Sequence, residues 1–227
     1  MTEYDAVVFD LDGTLCVADQ DDEDIHDAIF ERVGREELFE PTDLYAVDIT
    51  TLPDVESDRD HYAKLYRAAA EEAGADPEEG VLDALAEATL DVYDSTLVSF
   101  REGAREALTY ASERYAVGLL TNGTEDTQGA KLDRLGIGDT FDAAVLCGAG
   151  TDYPSKPDPK PFAAVLDGLG VVPGNAVYVG DRPDGDVAGA SSAGMDSMWV
   201  PTGDPPADPE PEPTYLLKSP AALSEVL

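Results

Sequence analysis

The sequence of 227 residues is poor in basic residues. It contains 14 lysines and arginines against 49 acidic residues, which gives a formal net charge of −35 at pH 7. Such a charge repels nucleic-acid phosphates and anionic lipid headgroups, so we predict no nucleic-acid partner and no membrane partner. Because 43% of the residues are hydrophobic and occur in periodic segments, the excess of acids indicates a folded protein adapted to high salt concentration rather than a disordered chain.

Cysteine is equally scarce. Cys16 and Cys147 are too few and too far apart in sequence for a zinc motif, and we interpret both as buried thiols. No apolar run approaches the length of a membrane-spanning helix, and the first predicted strand begins near Asp5, which leaves no room for a signal peptide. We therefore predict a cytoplasmic protein. The sequence leaves its oligomeric state open between a monomer and a homodimer.

Alternating strand and helix patterns predict an α/β protein with a parallel, Rossmann-like sheet. The predicted strands cover residues 6–9, 116–120, 141–146, 176–179 and 198–200, and the predicted helices cover residues 102–113, 125–135, 159–169 and 186–193. The segment 201–213, rich in proline and acids, is typical of an extended loop. Apolar residues return after it and predict a final short strand and helix.

The segment 17–98 interrupts this alternation, and its sequence contains no convincing strand. Apolar residues at three- and four-residue spacing predict three or four amphipathic helices, among them residues 24–33, 60–73 and 78–93. We therefore predict an inserted helical domain, residues 17–98, within a core domain formed by residues 1–16 and 99–227.

Two acidic residues follow the first predicted strand. Asp10 and Asp12 end an apolar stretch, and Gly13 and Thr14 then interrupt the strand, so we predict that both carboxylates face one cleft. An acidic pair at the carboxyl end of a buried strand suits nucleophilic and acid/base chemistry on a phosphate ester held with a divalent cation. The alternative is that these acids cap the strand end or the next helix.

Further polar clusters follow later strands or open helices. They are Thr121 with Asn122 and Gly123, Lys156 before Pro157, and Asp181 with Asp184 and Asp186. Two of these clusters have a structural alternative: Lys156 is then a solvated loop lysine, and Asp186 caps the following helix.

In this order the clusters resemble the four motifs of the haloacid dehalogenase superfamily, in the branch of magnesium-dependent phosphatases with a helical cap, and in particular phosphoglycolate phosphatases. The corresponding motif residues are Asp10 with Asp12, then Thr121, then Lys156, then Asp181 with Asp186. The sequence departs from the family at Arg182-Pro183, where Ser-Leu is common, and at the additional Asp184. This departure leaves open whether Asp184 or Asp186 is the second acid of the metal loop.

The resemblance implies magnesium-dependent hydrolysis of a small phosphorylated metabolite through an aspartyl-phosphate. Asp10 would be the nucleophile, and Asp12 would donate and then accept a proton. Phosphate would be bound by Thr121, the Asn122 backbone amide and Lys156. The Mg²⁺ ligands would be Asp10, the Asp12 carbonyl and Asp181, and Asp186 would orient Lys156 or a metal water.

Other activities remain open at this point. A phosphosugar mutase of the same superfamily shares every core residue and differs in excluding water. A haloacid dehalogenase needs no general acid, so Asp12 argues against it, and a metal-binding regulatory protein would not need the complete catalytic set. In the predicted helical domain, His26 and His61 are not assigned to the site. Arg59, Lys64 and Arg67 either face an anionic substrate or pair with nearby acids.

Overall fold

The computed structural model describes residues 4–47, 51–53, 55–148, 150–207 and 209–227. Residues 48–50 and 54 of the predicted helical domain and residue 208 of the predicted loop lie outside the described residues. The chain divides into two compact units, one formed by Met1–Val17 with Val98–Leu227 and the other by Ala18–Leu97.

The first unit is built on a parallel sheet. The strands of the described chain are β1 (Ala6–Phe9), β2 (Cys16–Ala18), β3 (Val98–Phe100), β4 (Ala116–Asn122), β5 (Ala143–Cys147), β6 (Ala176–Gly180), β7 (Asp196–Trp199) and β8 (Tyr215–Leu216). Six of them form one sheet in the order β5-β4-β1-β6-β7-β8, and every neighbouring pair is parallel. The other two, β2 and β3, form a separate two-stranded sheet. The predicted Rossmann-like α/β core is therefore confirmed.

The strand order places a topological switch point at β1. From this central strand the chain builds β4 and β5 on one side and then returns to build β6, β7 and β8 on the other. Because all six strands are parallel, their carboxyl ends lie at one edge, and ligands bind in open α/β sheets where the order reverses. The ends of β1, β4 and β6 therefore meet at the position expected for a site.

Strand β1 is buried on both faces. Val7 and Phe9 pack into one apolar cluster, whereas Ala6 and Val8 pack into another, as the two-residue repeat of a strand requires. A strand covered by helices on both sides reads as a continuous apolar run, which is why this segment was recognisable in the sequence.

Helices cover both faces of the sheet in the first unit and form the second unit. They are α1 (Asp22–Val33), α2 (Pro41–Ala46), α3 (Asp58–Glu72), α4 (Glu79–Val92), α5 (Ala104–Ser112), α6 (Glu125–Leu135), α7 (Pro159–Leu169), α8 (Ala188–Ala193) and α9 (Leu223–Val226). Buried residues of α5 and α9 belong to the cluster of Phe9, and those of α7 and α8 belong to the cluster of Val8. No described helix combines the length and apolar composition needed to cross a bilayer.

Several predicted boundaries were wrong. The prediction of no strand within residues 17–98 fails at both ends, because β2 includes Val17 and Ala18 and β3 begins at Val98. Strands of three residues are too short to show alternation. Asp186 precedes α8 instead of opening it, since a π-helical turn covers Pro183–Val187. Strands β5 and β7 are also shifted relative to the predicted residues 141–146 and 198–200, whereas the final short strand and helix are present as β8 and α9.

The second unit has an apolar core of its own. Phe30, Phe39 and Tyr66 belong to this core together with Leu82 and Leu85. The hydroxyl groups of Tyr66 and Thr89 lie 2.6 Å apart, and Thr89 also donates to the Leu85 carbonyl. The first contact joins α3 to α4 and the second lies within α4, and together they account for the burial of these polar groups within a helical core.

The histidines and basic residues singled out in this unit have ordinary structural partners. His26 is buried and its Nε2 lies 2.9 Å from the Phe39 carbonyl oxygen, so that nitrogen carries the hydrogen. Burial lowers the pKa of His61. Ion pairs join Arg59 to Asp83, Lys64 to Asp60 and Arg67 to Glu79. The described contacts therefore favour the salt-bridge interpretation of these basic residues.

Candidate active site

Three carboxylates meet at the carboxyl ends of β1 and β6. Asp10 follows β1, Asp181 follows β6, and Asp186 lies in the π-helical turn beyond it. One oxygen of each carboxylate lies within 4.8 Å of the others. We refer to Asp10, Asp181 and Asp186 as the acidic triad.

Glycine permits the close packing of the acidic triad. A Cβ atom at Gly180 would lie 2.4 Å from Asp186 Cγ, and one at Gly13 would lie 2.4 Å from Asp181 Oδ2. Gly13 also has a φ of +73°, a left-handed conformation that side chains with a Cβ rarely adopt. The glycine of the first acidic motif therefore makes room for a carboxylate of the last one.

Lys156 connects two members of the acidic triad. Its Nζ donates to Asp10 Oδ1 at 2.7 Å, to Asp186 Oδ1 at 2.8 Å and to the Tyr178 hydroxyl at 2.9 Å. An ammonium group has three N–H donors, so these three acceptors satisfy it completely. Tyr178 in turn donates to the Leu120 carbonyl at 2.8 Å, which fixes the direction of its hydroxyl.

Burial dominates the electrostatics of this cluster. It raises the pKa of Asp10 well above the usual range, an effect that Lys156 opposes and Asp186 reinforces. Burial also raises the pKa of Asp181 to about 7, with a further contribution from Asp186. For Lys156 burial alone would lower the pKa, but the carboxylates of Asp10 and Asp186 outweigh it and raise the pKa. Three acids thus lie together in a desolvated environment in which one lysine forms ion pairs with two of them, Asp10 and Asp186.

The acidic triad fits a divalent cation. Asp181 Oδ1 is buried and has no hydrogen-bond partner among the described residues, which is costly unless another positive group reaches it. Carboxylate oxygens are the ligands preferred by hard cations such as Mg²⁺ and Ca²⁺. The donor set is therefore suited to a hard divalent cation bound by Asp10, Asp181 and Asp186.

Asp12 has different partners from Asp10. Lys131 Nζ lies 2.8 Å from Asp12 Oδ1 and 2.9 Å from Asp12 Oδ2, and Gln128 Nε2 lies 2.8 Å from Oδ2. The Asp12 side chain is 47% exposed, and its carboxylate is not a member of the acidic triad. The expected contribution of the Asp12 carbonyl to a cation site stays a prediction.

The residues predicted to bind phosphate lie at the end of β4. Thr121 is buried and its hydroxyl accepts a hydrogen bond from Gln128 Nε2 at 2.7 Å. The Asn122 side chain accepts one from the backbone N–H of Lys156 at 2.9 Å. Asn122 therefore joins the end of β4 to the loop that carries Lys156.

The structure decides between the alternatives for Lys156 and for the acids of the metal loop. Lys156 is 7% exposed, so the interpretation as a solvated loop lysine is wrong. Asp186 does not cap α8: its Oδ2 accepts from the backbone N–H of Arg182 at 2.9 Å. Asp184 instead forms a two-pronged ion pair with Arg182, at 2.8 and 3.1 Å. Of the two acids considered for the metal loop, Asp186 is the one that lies beside Asp10 and Asp181.

Sequence reasoning missed Gln128, Lys131 and Tyr178. Gln128 and Lys131 occupy the buried stripe of α6 together with Leu135, at the spacing where apolar residues are expected. Polar residues in an apolar stripe directly after a motif strand were a usable signal. Tyr178 gave no such signal, because an aromatic residue inside the run Ala176–Gly180 is ordinary for a buried strand.

Comparison with known proteins places this geometry in a family. The haloacid dehalogenase-like hydrolase family matches residues 4–194. A phosphoserine phosphatase from Thermus thermophilus is 38% identical over 159 residues, which cover 66% of this chain and 58% of that protein. The chain thus spans little more than half the length of this relative. A glyceraldehyde 3-phosphate phosphatase from Methanopyrus kandleri is 30% identical over 232 residues, covering 98% of this chain and 96% of that protein.

A solved structure shows the same fold. A protein from Haemophilus somnus described as a predicted phosphoglycolate phosphatase superposes with a TM-score of 0.72 at 21% identity, covering 100% of this chain and 99% of the other. Identity at this level supports the fold alone. Because the family match covers most of the chain and includes all the motif strands, the protein belongs to the haloacid dehalogenase-like hydrolase family, as its motifs predicted.

Proposed function

We propose that the protein is a magnesium-dependent phosphatase that hydrolyses small phosphomonoesters through an aspartyl-phosphate on Asp10. The observation that carries this proposal is the position of Asp10, buried between Lys156 and the other carboxylates of the acidic triad at the switch point of the sheet. The names of the relatives from Thermus thermophilus and Methanopyrus kandleri, both phosphatases, support the same reaction class.

In the first step a carboxylate oxygen of Asp10 forms a bond to phosphorus while the bond from phosphorus to the leaving oxygen breaks. Asp12 gives its proton to that oxygen, so the alcohol departs neutral. The Lys156 ammonium, 2.7 Å from Asp10 Oδ1, offsets negative charge on the carboxylate and on the transferring phosphoryl group.

In the second step water hydrolyses the aspartyl-phosphate. Asp12, now a carboxylate, accepts a proton from the water as its oxygen bonds to phosphorus, and the bond from phosphorus to Asp10 breaks. Inorganic phosphate leaves, and both aspartates return to their starting states. The partly exposed side chain of Asp12 suits this role, because the group must meet first an alcohol oxygen and then a water.

Binding of the phosphate group is assigned to Thr121, the Asn122 backbone amide and Lys156. When bound by the acidic triad, Mg²⁺ supplies positive charge to a phosphate oxygen. Asp186 holds Lys156 in place through the 2.8 Å hydrogen bond, and as a member of the acidic triad it would also help to hold the cation.

The substrate class is a small phosphorylated metabolite, and we assign its selection to the second unit, Ala18–Leu97. None of the motif residues lies in that unit, and it has an apolar core of its own. We propose that it is the cap of the enzyme. In capped enzymes, contacts between the cap and parts of the substrate remote from the reacting atoms supply binding energy and exclude water without taking part in the chemistry.

The decisive experiment is a phosphate-release assay over a panel of phosphomonoesters, with and without MgCl₂, at molar KCl. The wild-type protein should release phosphate only with Mg²⁺ or a similar hard cation, and Asp10→Asn should release none. Asp133→Asn, which removes an exposed acid on α6, is the matched control and should remain active. Substantial turnover by a pure, folded Asp10→Asn protein would remove Asp10 as the nucleophile.

The same assay separates hydrolase from mutase. A hydrolase releases free phosphate from its best substrate in step with substrate loss, whereas a mutase returns an isomeric phosphosugar and releases little phosphate. Phosphorus NMR of the reaction mixture distinguishes these products directly, and a predominant isomeric phosphosugar would contradict the proposed hydrolysis.

A further inference from the structure

Helix α6 carries polar side chains on its buried face. Gln128 is 1% exposed and Lys131 is 5% exposed, and they lie in one stripe with Leu135. Lysine is almost never buried without a paired charge, and a buried amide costs free energy unless it forms hydrogen bonds. The partners of these two residues therefore explain why the sequence places them there.

Lys131 holds both oxygens of one carboxylate. Its Nζ lies 2.8 Å and 2.9 Å from the two oxygens of Asp12. The Lys131 side chain is 7% exposed and the Asp12 side chain is 47% exposed. The carboxylate is therefore bound by a buried ammonium group and remains accessible to solvent. This arrangement fixes the orientation of the carboxylate and leaves it open to a reacting molecule.

Gln128 connects the same carboxylate to the phosphate-binding strand end. Its Nε2 lies 2.8 Å from Asp12 Oδ2, 2.7 Å from Thr121 Oγ1 and 3.0 Å from the Asn122 carbonyl oxygen. An amide nitrogen has two hydrogens, so three acceptors compete for two donors. A Cβ atom at Gly123 would lie 2.9 Å from Gln128 Cδ, so this packing requires glycine there.

We propose that Lys131 and Gln128 are positioning residues that set the orientation of the Asp12 carboxyl group for proton transfer. The inference rests on the proposed function, in which Asp12 protonates the leaving oxygen as the Asp10–phosphorus bond forms. Proton transfer requires hydrogen-bond distance between donor and acceptor. Without its hydrogen bonds to Lys131 and Gln128, the Asp12 carboxyl group would sample other rotamers and reach the leaving oxygen less often.

An ion pair that serves stability alone predicts a different outcome. Removing a structural pair lowers the amount or the stability of the folded protein and affects all substrates alike. Removing a positioning residue affects substrates in proportion to their need for the acid. 4-Nitrophenolate departs readily without a proton, whereas phenolate is a poorer leaving group, so the two aryl phosphates separate the two roles.

The test compares kcat/KM for phenyl phosphate and 4-nitrophenyl phosphate in the full chain with MgCl₂. This constant reports the transfer of the phosphoryl group to Asp10, whereas kcat also contains hydrolysis of the aspartyl-phosphate, which is the same for both substrates. In Lys131→Met we expect a loss of roughly 10- to 10²-fold with phenyl phosphate, the scale of a misplaced reacting group. The loss with 4-nitrophenyl phosphate should be less than a third of that factor. Arg134→Met, which removes an exposed charge from the same helix, should change neither rate.

Two further variants keep the test decisive. Lys131→Arg retains the charge and the donors and should retain most of the rate with phenyl phosphate. Gln128→Met retains Lys131 and should show the same selective loss, which covers the case in which Lys131→Met does not fold. Equal losses on both substrates in the folded variants would overturn the positioning role.

Asp12→Ala distinguishes failure of this inference from failure of the proposed function. If Asp12 is the acid, Asp12→Ala is selectively slow with phenyl phosphate, and adding Lys131→Met to it causes no further loss. A further loss in the double variant would overturn the inference while leaving Asp12 as the acid. Equal losses on both substrates in Asp12→Ala would overturn the role of Asp12, and the inference with it.

Discussion

The two aspartates that follow β1, Asp10 and Asp12, each form an ion pair with a lysine. The two pairs differ mainly in how far the aspartate is exposed to water. In the pair of Asp10 and Lys156 the side chains are 6% and 5% exposed. In the pair of Asp12 and Lys131 the aspartate is 47% exposed and the lysine 7%. The closest N–O distances are nearly equal, at 2.7 and 2.8 Å. The closest N–O distance therefore does not distinguish the two pairs, whereas desolvation of the aspartate does.

The difference in exposure separates two kinds of chemistry. Around Asp10, burial strengthens each electrostatic interaction and holds charges of both signs in fixed positions, as stabilisation of a transferring phosphoryl group requires. Around Asp12, one side of the carboxylate remains open to solvent, as exchange of protons with a leaving alcohol and a water requires. In the proposed mechanism the same type of ion pair would thus support charge stabilisation at Asp10 and proton transfer at Asp12.

The largest expected effect comes from breaking the buried pair. Lys156→Met leaves the carboxylates of Asp10 and Asp186 without their shared cation. We expect a loss of at least about 10²-fold in kcat on phenyl and 4-nitrophenyl phosphate alike, since removing one stabilising donor has that effect in other enzymes. Stability should also fall by about 3–5 kcal/mol, the usual cost of removing one partner of a buried ion pair.

Urea unfolding and steady-state kinetics measure both effects of Lys156→Met, with Lys160→Met as the control because Lys160 is exposed on α7. Lys131→Met provides the contrast. Its loss should depend on the leaving group, whereas that of Lys156→Met should not. A Lys156→Met protein that discriminates between the two substrates as strongly as Lys131→Met would show that the two pairs do not have separate roles.

A second, smaller effect concerns the acidic triad beside the buried pair. Because Asp181 Oδ1 is buried without a hydrogen bond among the described residues, a cation bound there should stabilise the fold. Ligand present at 100 times its dissociation constant contributes about 2.7 kcal/mol. In a protein of this size that corresponds to a rise in Tm of roughly 5–10 °C.

Differential scanning calorimetry with MgCl₂ and with EDTA tests this expectation. Asp181→Asn should lose most of the Mg²⁺-dependent shift, because one charged ligand is gone. Asp184→Asn is a matched control from the same loop, since Asp184 pairs with Arg182 and not with the acidic triad. Equal Mg²⁺-dependent shifts in both variants would place the cation elsewhere.

The fold was predictable where local signals were strong. The apolar run of β1 and the regular alternation after residue 99 identified the parallel sheet, because strands buried on both faces leave continuous apolar segments. Short strands such as β2 and β3 leave no such pattern. Their extent depends on pairing with a segment about eighty residues away in the chain, which sequence periodicity does not record.

The candidate site was predictable to the extent that it follows strand ends. Asp10, Thr121 and Asp181 each follow the end of a parallel strand or close it, so topology alone brings them to one edge of the sheet. The partners of Asp12 were not predictable in the same way. Polar residues in the buried stripe of α6 mark that helix in the sequence, but the carboxylate that they bind depends on how the helix packs in the fold, which periodicity does not record.

The smallest expected effect is the dependence of stability on salt concentration, which should differ between exposed and buried charges. The net charge of −35 arises mostly from exposed acids, whose mutual repulsion is felt over a Debye length of ~30 Å at 0.01 M salt and ~3 Å at 1 M. Raising KCl from low to molar concentration should therefore raise Tm by several degrees. The destabilisation caused by Lys156→Met should stay constant over the same range, because its partners are out of reach of the screening ions.

Thermal unfolding of the wild-type protein and Lys156→Met across a KCl series measures both quantities, with an uncharged osmolyte of equal osmolality as the control. The predicted adaptation to high salt requires that KCl stabilise the wild-type protein more than the osmolyte does. A wild-type Tm that does not change with KCl would mean that surface repulsion is negligible despite the charge. If the destabilisation caused by Lys156→Met decreased with increasing KCl, ions would reach Asp10 and Asp186. The pair of Asp10 and Lys156 would then be screened as much as the pair of Asp12 and Lys131.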